Sequence, residues 1–241
     1  MASSRHQLQF VFSSLCYQVN LLAIETSTEF LSLAVGGGGK VCTHHAAAGQ
    51  RHAELVLDAI AALLERAGLE PEDLDGIAYG EGPGSFTGLR IACGVAQGLA
   101  LAWNRKVLGV STLLALAEEA GASDVVACLD ARMGEVYHAA YRRGGDGWQV
   151  AHAPGLCKPD AVPSPEGDAW SGCGSGFAAY GEVLQRRLEP ALSATRPDVA
   201  PTASAILRLM RPRFERGEGR DPASAVPVYL RDKVALKTSE R

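Results

Sequence analysis

Residues Gly80 to Asn104, GEGPGSFTGLRIACGVAQGLALAWN, join a loop of Gly, Pro, Ser and Thr to a helix with almost no polar side. Placed at about 100° per residue, a helix from Gly88 to Asn104 keeps Arg90, Gln97 and Asn104 on one strip about 40° wide. Every other position is apolar or glycine. Such a helix needs cover on nearly every side. The i, i+7 spacing of its polar strip resembles a helix–helix seam more than a solvent face. The chain must therefore fold with this helix on a sheet and something further against it, which points to association.

The loop itself, Gly82, Pro83, Gly84, Ser85, Thr87 and Gly88, invites an anion-binding reading, because Gly-rich turns before a helix present backbone N–H groups. Two standard forms fail. A P-loop needs Gly-Lys-Ser/Thr after its second glycine, and no lysine lies between Lys40 and Lys106. A dinucleotide fingerprint needs G-x-G-x-x-G, whereas Gly82, Gly84 and Gly88 are spaced G-x-G-x-x-x-G. The plainer expectation is a turn shaped by Pro83 and Gly84, a helix capped by Ser85 or Thr87, and an exposed Arg90.

With 241 residues, 47% hydrophobic and 21% charged, the chain can build one large domain or two small ones. A net charge of -4 gives no basic footprint for direct nucleic-acid binding. Six scattered cysteines without a C-x-x-C pair argue against zinc and disulfide frameworks, so a reduced cytoplasmic setting is expected. The first 19 residues only faintly imitate a signal peptide. The apolar run is short, broken by Gln9, Ser13 and Ser14, and lacks a cleavage site. They are expected to be a disordered extension or an over-extended start. No stretch of ~20 apolar residues suggests a membrane span.

Leu21–Ser27, Phe30–Gly36 and Lys40–Ala47 read as a three-strand meander, followed by a helix over His52–Ala67, a strand at Gly76–Gly80 and the loop and helix above. The first helix is also apolar over an arc of about 160°, with Glu54, Asp58 and Glu65 as its polar strip. Two over-covered helices on one small sheet leave apolar surface with no intramolecular partner. Leu57, Ala61 and Leu64 on the first helix, and Arg90, Cys93, Gln97, Ala100, Leu101 and Asn104 on the second, are the expected interface. The order βββαβα is followed by a second β-rich unit. It contains a VVACLDA–EVYHAAYR hairpin, a strand at WQVAHA, a Pro-rich loop from Pro154 to Pro165, a helix over Phe177–Leu188 and a last helix over Thr202–Phe214 interrupted by Pro212. We expect an α/β fold of two lobes, residues 20–106 and 107–241, the last helix being free to return to the first lobe.

The segments LLAIETST, RHAELVLDAI, GEGPGSFTGLRIACGVAQGLA, STLLALA, LDARMGEVY and PVYLR occur in the order found in the TsaB (YeaZ) family, over about residues 20 to 232. That resemblance implies the actin/Hsp70/sugar-kinase superfold. It also implies a non-catalytic role in tRNA threonylcarbamoylation beside a catalytic TsaD paralogue and the ATPase TsaE, with tRNA met only through the complex. A homodimer through the same surface, and a nucleotide shared at the partner interface, stay open.

The resemblance further implies tests on single residues. The catalytic paralogue carries H-x-x-x-H on the first helix, and here His52 is followed at i+4 by Val56. One imidazole cannot hold a catalytic metal. His44 and His45 point to opposite faces of a strand. Where nucleotide-binding members place an Asp near magnesium, this chain has Glu25-Thr26-Ser27-Thr28, whose longer acid alters the reach to a hydrated Mg²⁺. GCGSG at 172–176 reads as an adenosine cradle or, more simply, a strand-to-helix turn. No cofactor, metal or catalytic residue is expected. The rival readings are a hydrolase using Ser85 and an ATP-dependent small-molecule kinase.

Overall fold

The structure, a computed structural model, describes residues 19–37 and 39–231. The expected extension lies outside the described residues except for Val19, which is buried.

The first sheet has the order β3-β2-β1-β4-β5. In it β1 (Leu21–Glu25) pairs antiparallel with β2 (Phe30–Gly36), and β2 with β3 (Val41–Ala47). β4 (Gly76–Gly82) and β5 (Lys106–Ser111) extend it in parallel. β1 is buried along its whole length because both faces are covered. Leu22 and Ile24 pack under α1 (His52–Ala67) and α2 (Phe86–Ala102). Leu21 and Ala23 pack under α3 (Thr112–Ala120) and α5 (Ala203–Glu215). The anticipated βββαβα order is present, so the α/β fold class read from the sequence holds.

The second sheet has the order β10-β9-β6-β7-β8. It is built from the hairpin β6 (Asp124–Asp130) and β7 (Val136–Gly144), the edge strand β8 (Gly147–Cys157), and β9 (Trp170–Cys173) and β10 (Leu192–Arg196). α3 covers one face, through Leu113 and Leu116, and α4 (Ser175–Leu188) the other, through Phe177 and Leu184. α3 thus lies between the two sheets. Its Glu118 accepts from Arg143 of β7 at 2.5 Å, from Trp148 of β8 at 2.8 Å and from Arg208 of α5 at 2.9 Å. Burial pushes the Glu118 carboxyl up, but these three hydrogen bonds outweigh it and hold the group below the usual range.

Several expectations need correction. A boundary after residue 106 falls inside β5, which pairs with β4, so the first sheet runs on to Ser111. α5 packs on β1, β2 and β4, so the last helix does return to the first lobe, as the sequence had left open. Pro212 does not interrupt α5, because it sits on the exposed side of the last turn. Pro154 lies inside β8, where an edge strand tolerates the missing donor.

Candidate functional site

The GPGSFTG loop is closed by its own chain. Ser85 is the N-cap of α2, its hydroxyl accepting from Gly88 N–H at 3.4 Å, while its own N–H donates to Ser27 O at 2.8 Å. The helix therefore starts at Phe86, two residues earlier than the sequence suggested, and Thr87 is exposed in its first turn. The glycines are explained by close approach. A Cβ on Gly88 would collide with Thr26 O, one on Gly84 would lie 2.7 Å from Ser27 Cβ, and one on Gly82 would strike Val228 O. Thr26 Oγ1 donates to Gly88 O at 2.7 Å, fastening the two loops together. Two of the loop's N–H groups, those of Ser85 and Gly88, are thus already taken within the chain.

Glu25, at the end of β1, is 1% exposed. Its Oε1 accepts from Ser27 N–H at 2.6 Å, and its Oε2 faces the missing side chain of Gly80. Burial pushes the carboxyl up to about 7, only partly offset by Ser27 and by the amides of Ser27 and Thr26. The Ser27 hydroxyl lies close to the carboxyl yet outside hydrogen-bonding geometry, so Oε2 and Ser27 Oγ are both buried and unpaired. Thr28 Oγ1 accepts from Phe30 N–H at 3.3 Å. A carboxyl this enclosed presents no oxygen to a hydrated Mg²⁺, so these residues do not fit a magnesium nucleotide.

The polar strip of α2 meets the chain's own C-terminal strap, residues 219–231. Gln97 Nε2 donates to Pro222 O at 3.1 Å, and Arg90 Nε to Tyr229 Oη at 3.0 Å. Arg220 pairs with Val107 of β5, and Val228 N–H donates to Glu81 O at 2.7 Å. Val226 N–H donates to Tyr79 Oη at 3.1 Å. Burial, then Cys93 and Glu81, push that hydroxyl up to about 12, so it stays protonated. Arg231 ends the strap on Glu135 at 2.5 Å, beside β7. Ala225 enters the core under α2.

The strap corrects the expected interface. Cys93 and Ala100 are 6% and 0% exposed, packed in the core with Ala225, and so are not free margins. Leu64, expected to be exposed, is 7% exposed, because its flank of α1 turns inward toward the core. Asn104 lies beyond the end of α2, with φ of 52°. Leu57 at 55% and Leu101 at 73% do stand out in solvent, and Ala61, Gly94 and Gly98 are exposed with them. The packing of strap residues such as Val228 and Tyr229 over the start of α2 was not foreseen. They fall in PVYLR, which has no periodic pattern, so only its resemblance to a family motif marked them.

Other candidates resolve locally. His52 is buried and its Nε2 lies 3.1 Å from Phe30 O, so it ties α1 to β2 rather than facing solvent. His45 stacks on Phe30 at 4.8 Å. In GCGSG, Cβ atoms on Gly172 and Gly176 would meet Phe177 and Cys128, which marks close strand–helix packing. Among the described residues no group of three or more His, Cys, Asp or Glu could hold a metal ion, and no helix is long and apolar enough to cross a membrane.

The family model for TsaD, tRNA N6-adenosine threonylcarbamoyltransferase, matches residues 43–237. The tRNA threonylcarbamoyladenosine biosynthesis protein TsaB of Escherichia coli K12 is 36% identical over 228 residues, covering 91% of this chain and 97% of its own. Its Haemophilus influenzae counterpart is 33% identical over 233 residues, covering 91% and 96%. The structure of YeaZ from Pseudomonas aeruginosa aligns with a TM-score of 0.81 at 39% identity, over 88% of this chain and all of that one. A second Pseudomonas aeruginosa structure, described as similar to peptidase YeaZ, gives 0.82. Matched in sequence and structure over nearly its whole described length, the chain belongs to the TsaB (YeaZ) family.

Proposed function

We propose that this chain is a non-catalytic subunit in the formation of N6-threonylcarbamoyladenosine in tRNA, binding and ordering a catalytic TsaD-type paralogue. A TsaE-type ATPase joins the assembly, and tRNA is reached through the complex. The relatives' names supply the pathway. The observation that carries the binding role is the exposed face shared by α1 and α2, where Leu57 and Leu101 stand in solvent beside Ala61, Gly94 and Gly98. Small residues between large apolar ones let two helix pairs approach closely. The enclosed Glu25 carboxyl and the capping role of Ser85 support a role without a nucleotide or a nucleophile of its own.

The test is affinity for the purified paralogue, measured by calorimetry, with Leu57→Glu and Leu101→Glu. Both positions are exposed, so the fold should survive. An unpaired charge in the interface should weaken binding by about 3 kcal/mol, roughly a hundredfold, and lower tRNA modification in the reconstituted system. Unchanged affinity for both variants would place the partner elsewhere. The word peptidase in one neighbour's description motivates a parallel assay of the isolated chain. Peptide hydrolysis lost in Ser85→Ala, or ATP turnover lost in Glu25→Ala, would replace the non-catalytic reading.

A further inference from the structure

Resting on the reading above, we infer that the partner surface continues from the helix pair over the strap onto the turn at residues 131–134. Its two ends carry opposite charge, so the protein that covers it presents basic groups to α1 and acidic groups to the strap.

Five of the ten exposed large apolar side chains among the described residues, Phe86, Met133, Val226, Val228 and Tyr229, lie on this second stretch, against two on the helix face. They form one path. The Phe86 ring is 5.3 Å from that of Tyr229, and the Arg90 guanidinium lies 3.9 Å over Phe86 while hydrogen-bonding Tyr229. At the far end Arg231 spans Met133 Sδ, at 3.4 Å, and Glu135. Phe86 and Arg90 open α2, whose last turn carries Leu101, so the two stretches are continuous along one helix.

The turn adds a separate observation. Arg132 and Met133 both have positive φ, 61° and 56°, a conformation that successive non-glycine residues adopt at a cost in energy. Met133, at the tip of this turn, is 61% exposed. A strained backbone that presents an adaptable apolar side chain to solvent fits a contact made with another molecule.

Charge identifies the kind of molecule. Asp58 and Glu65 are exposed on α1 with no ion-pair partner among the described residues, whereas the strap end carries Arg90, exposed and without an acidic partner among the described residues, and Arg132, whose side chain stays 86% exposed although it pairs with Asp130 at 3.1 Å. A nucleic acid would need a continuous cationic track. The acidic end and the valines of the strap favour a protein with an apolar centre and rims of opposite sign, and such polarity fixes its orientation.

The experiment measures binding of the full chain to the purified TsaD-type paralogue, with variants checked for folding by circular dichroism. Val226→Glu and Met133→Glu should each weaken binding at least about tenfold, with Met133→Ser as a milder second probe. Asp58→Lys and Arg132→Glu should weaken it several-fold, by less at about 300 mM salt than at about 50 mM. If Val226→Glu, Met133→Glu and Met133→Ser bind like wild type while Leu57→Glu loses affinity, the inference fails and the functional reading stands. If Leu57→Glu also binds normally, the functional reading itself has failed. Strap variants that change only self-association in sedimentation would assign the patch to a second copy and overturn the inference.

Discussion

Glu25→Gln should remove a pH dependence of stability that the buried carboxyl imposes. Glu25 is 1% exposed and its pKa is raised from 4.5 to about 7, chiefly by burial. The unfolded chain releases this proton near 4.5 and the folded chain near 7. The stabilising contribution of the protonated group is therefore fully present below 4.5 and is lost as pH rises through 7. At about 1.4 kcal/mol for each pH unit between 4.5 and about 7, the difference amounts to about 3.5 kcal/mol. Gln keeps the shape and can accept from Ser27 N–H through its carbonyl, while its amide can turn toward the unpaired Ser27 hydroxyl. The assay is urea unfolding of wild type and variant across pH 4 to 8.5, followed by circular dichroism. The variant should gain on wild type by about 3 kcal/mol between the two ends of this range, most of it between 4.5 and 7. A stability difference that stays constant with pH would refute the reasoning, because it would show that Glu25 ionises alike in both states.

Ser85→Ala should lower stability by about 0.5–1 kcal/mol, the low end for an N-cap, because its bond to Gly88 N–H is long and only part-buried. Thermal melts check it, and loss of modification activity with stability and paralogue binding intact would instead mark Ser85 as part of chemistry. Gly88→Ala should be more damaging, on the order of 1–3 kcal/mol, because a Cβ would meet Thr26 O where the two loops are joined. A fully stable Gly88→Ala protein would show that the loops can separate.

The sequence by itself determined the elements whose signals are local. The alternating and apolar runs of β1, β2 and β4, the helix from His52 to Ala67 and the cap ahead of α2 could all be read from periodicity and turn residues. The over-apolar character of α2 correctly called for further cover, yet the sequence could not say what supplies it. Tertiary structure decided that the strip of Arg90 and Gln97 meets residues 222 and 229 of the same chain, more than a hundred positions away. The strap is a string of irregular backbone whose docking depends on Tyr79, Glu81 and Val107 already standing in a folded sheet. It has no period of its own to read. The same reason moved Leu64, Cys93 and Ala100 from expected surface into the core. A helical wheel gives the angle of a side chain about its own axis, but which angles are covered is set by neighbours that only the folded chain brings together.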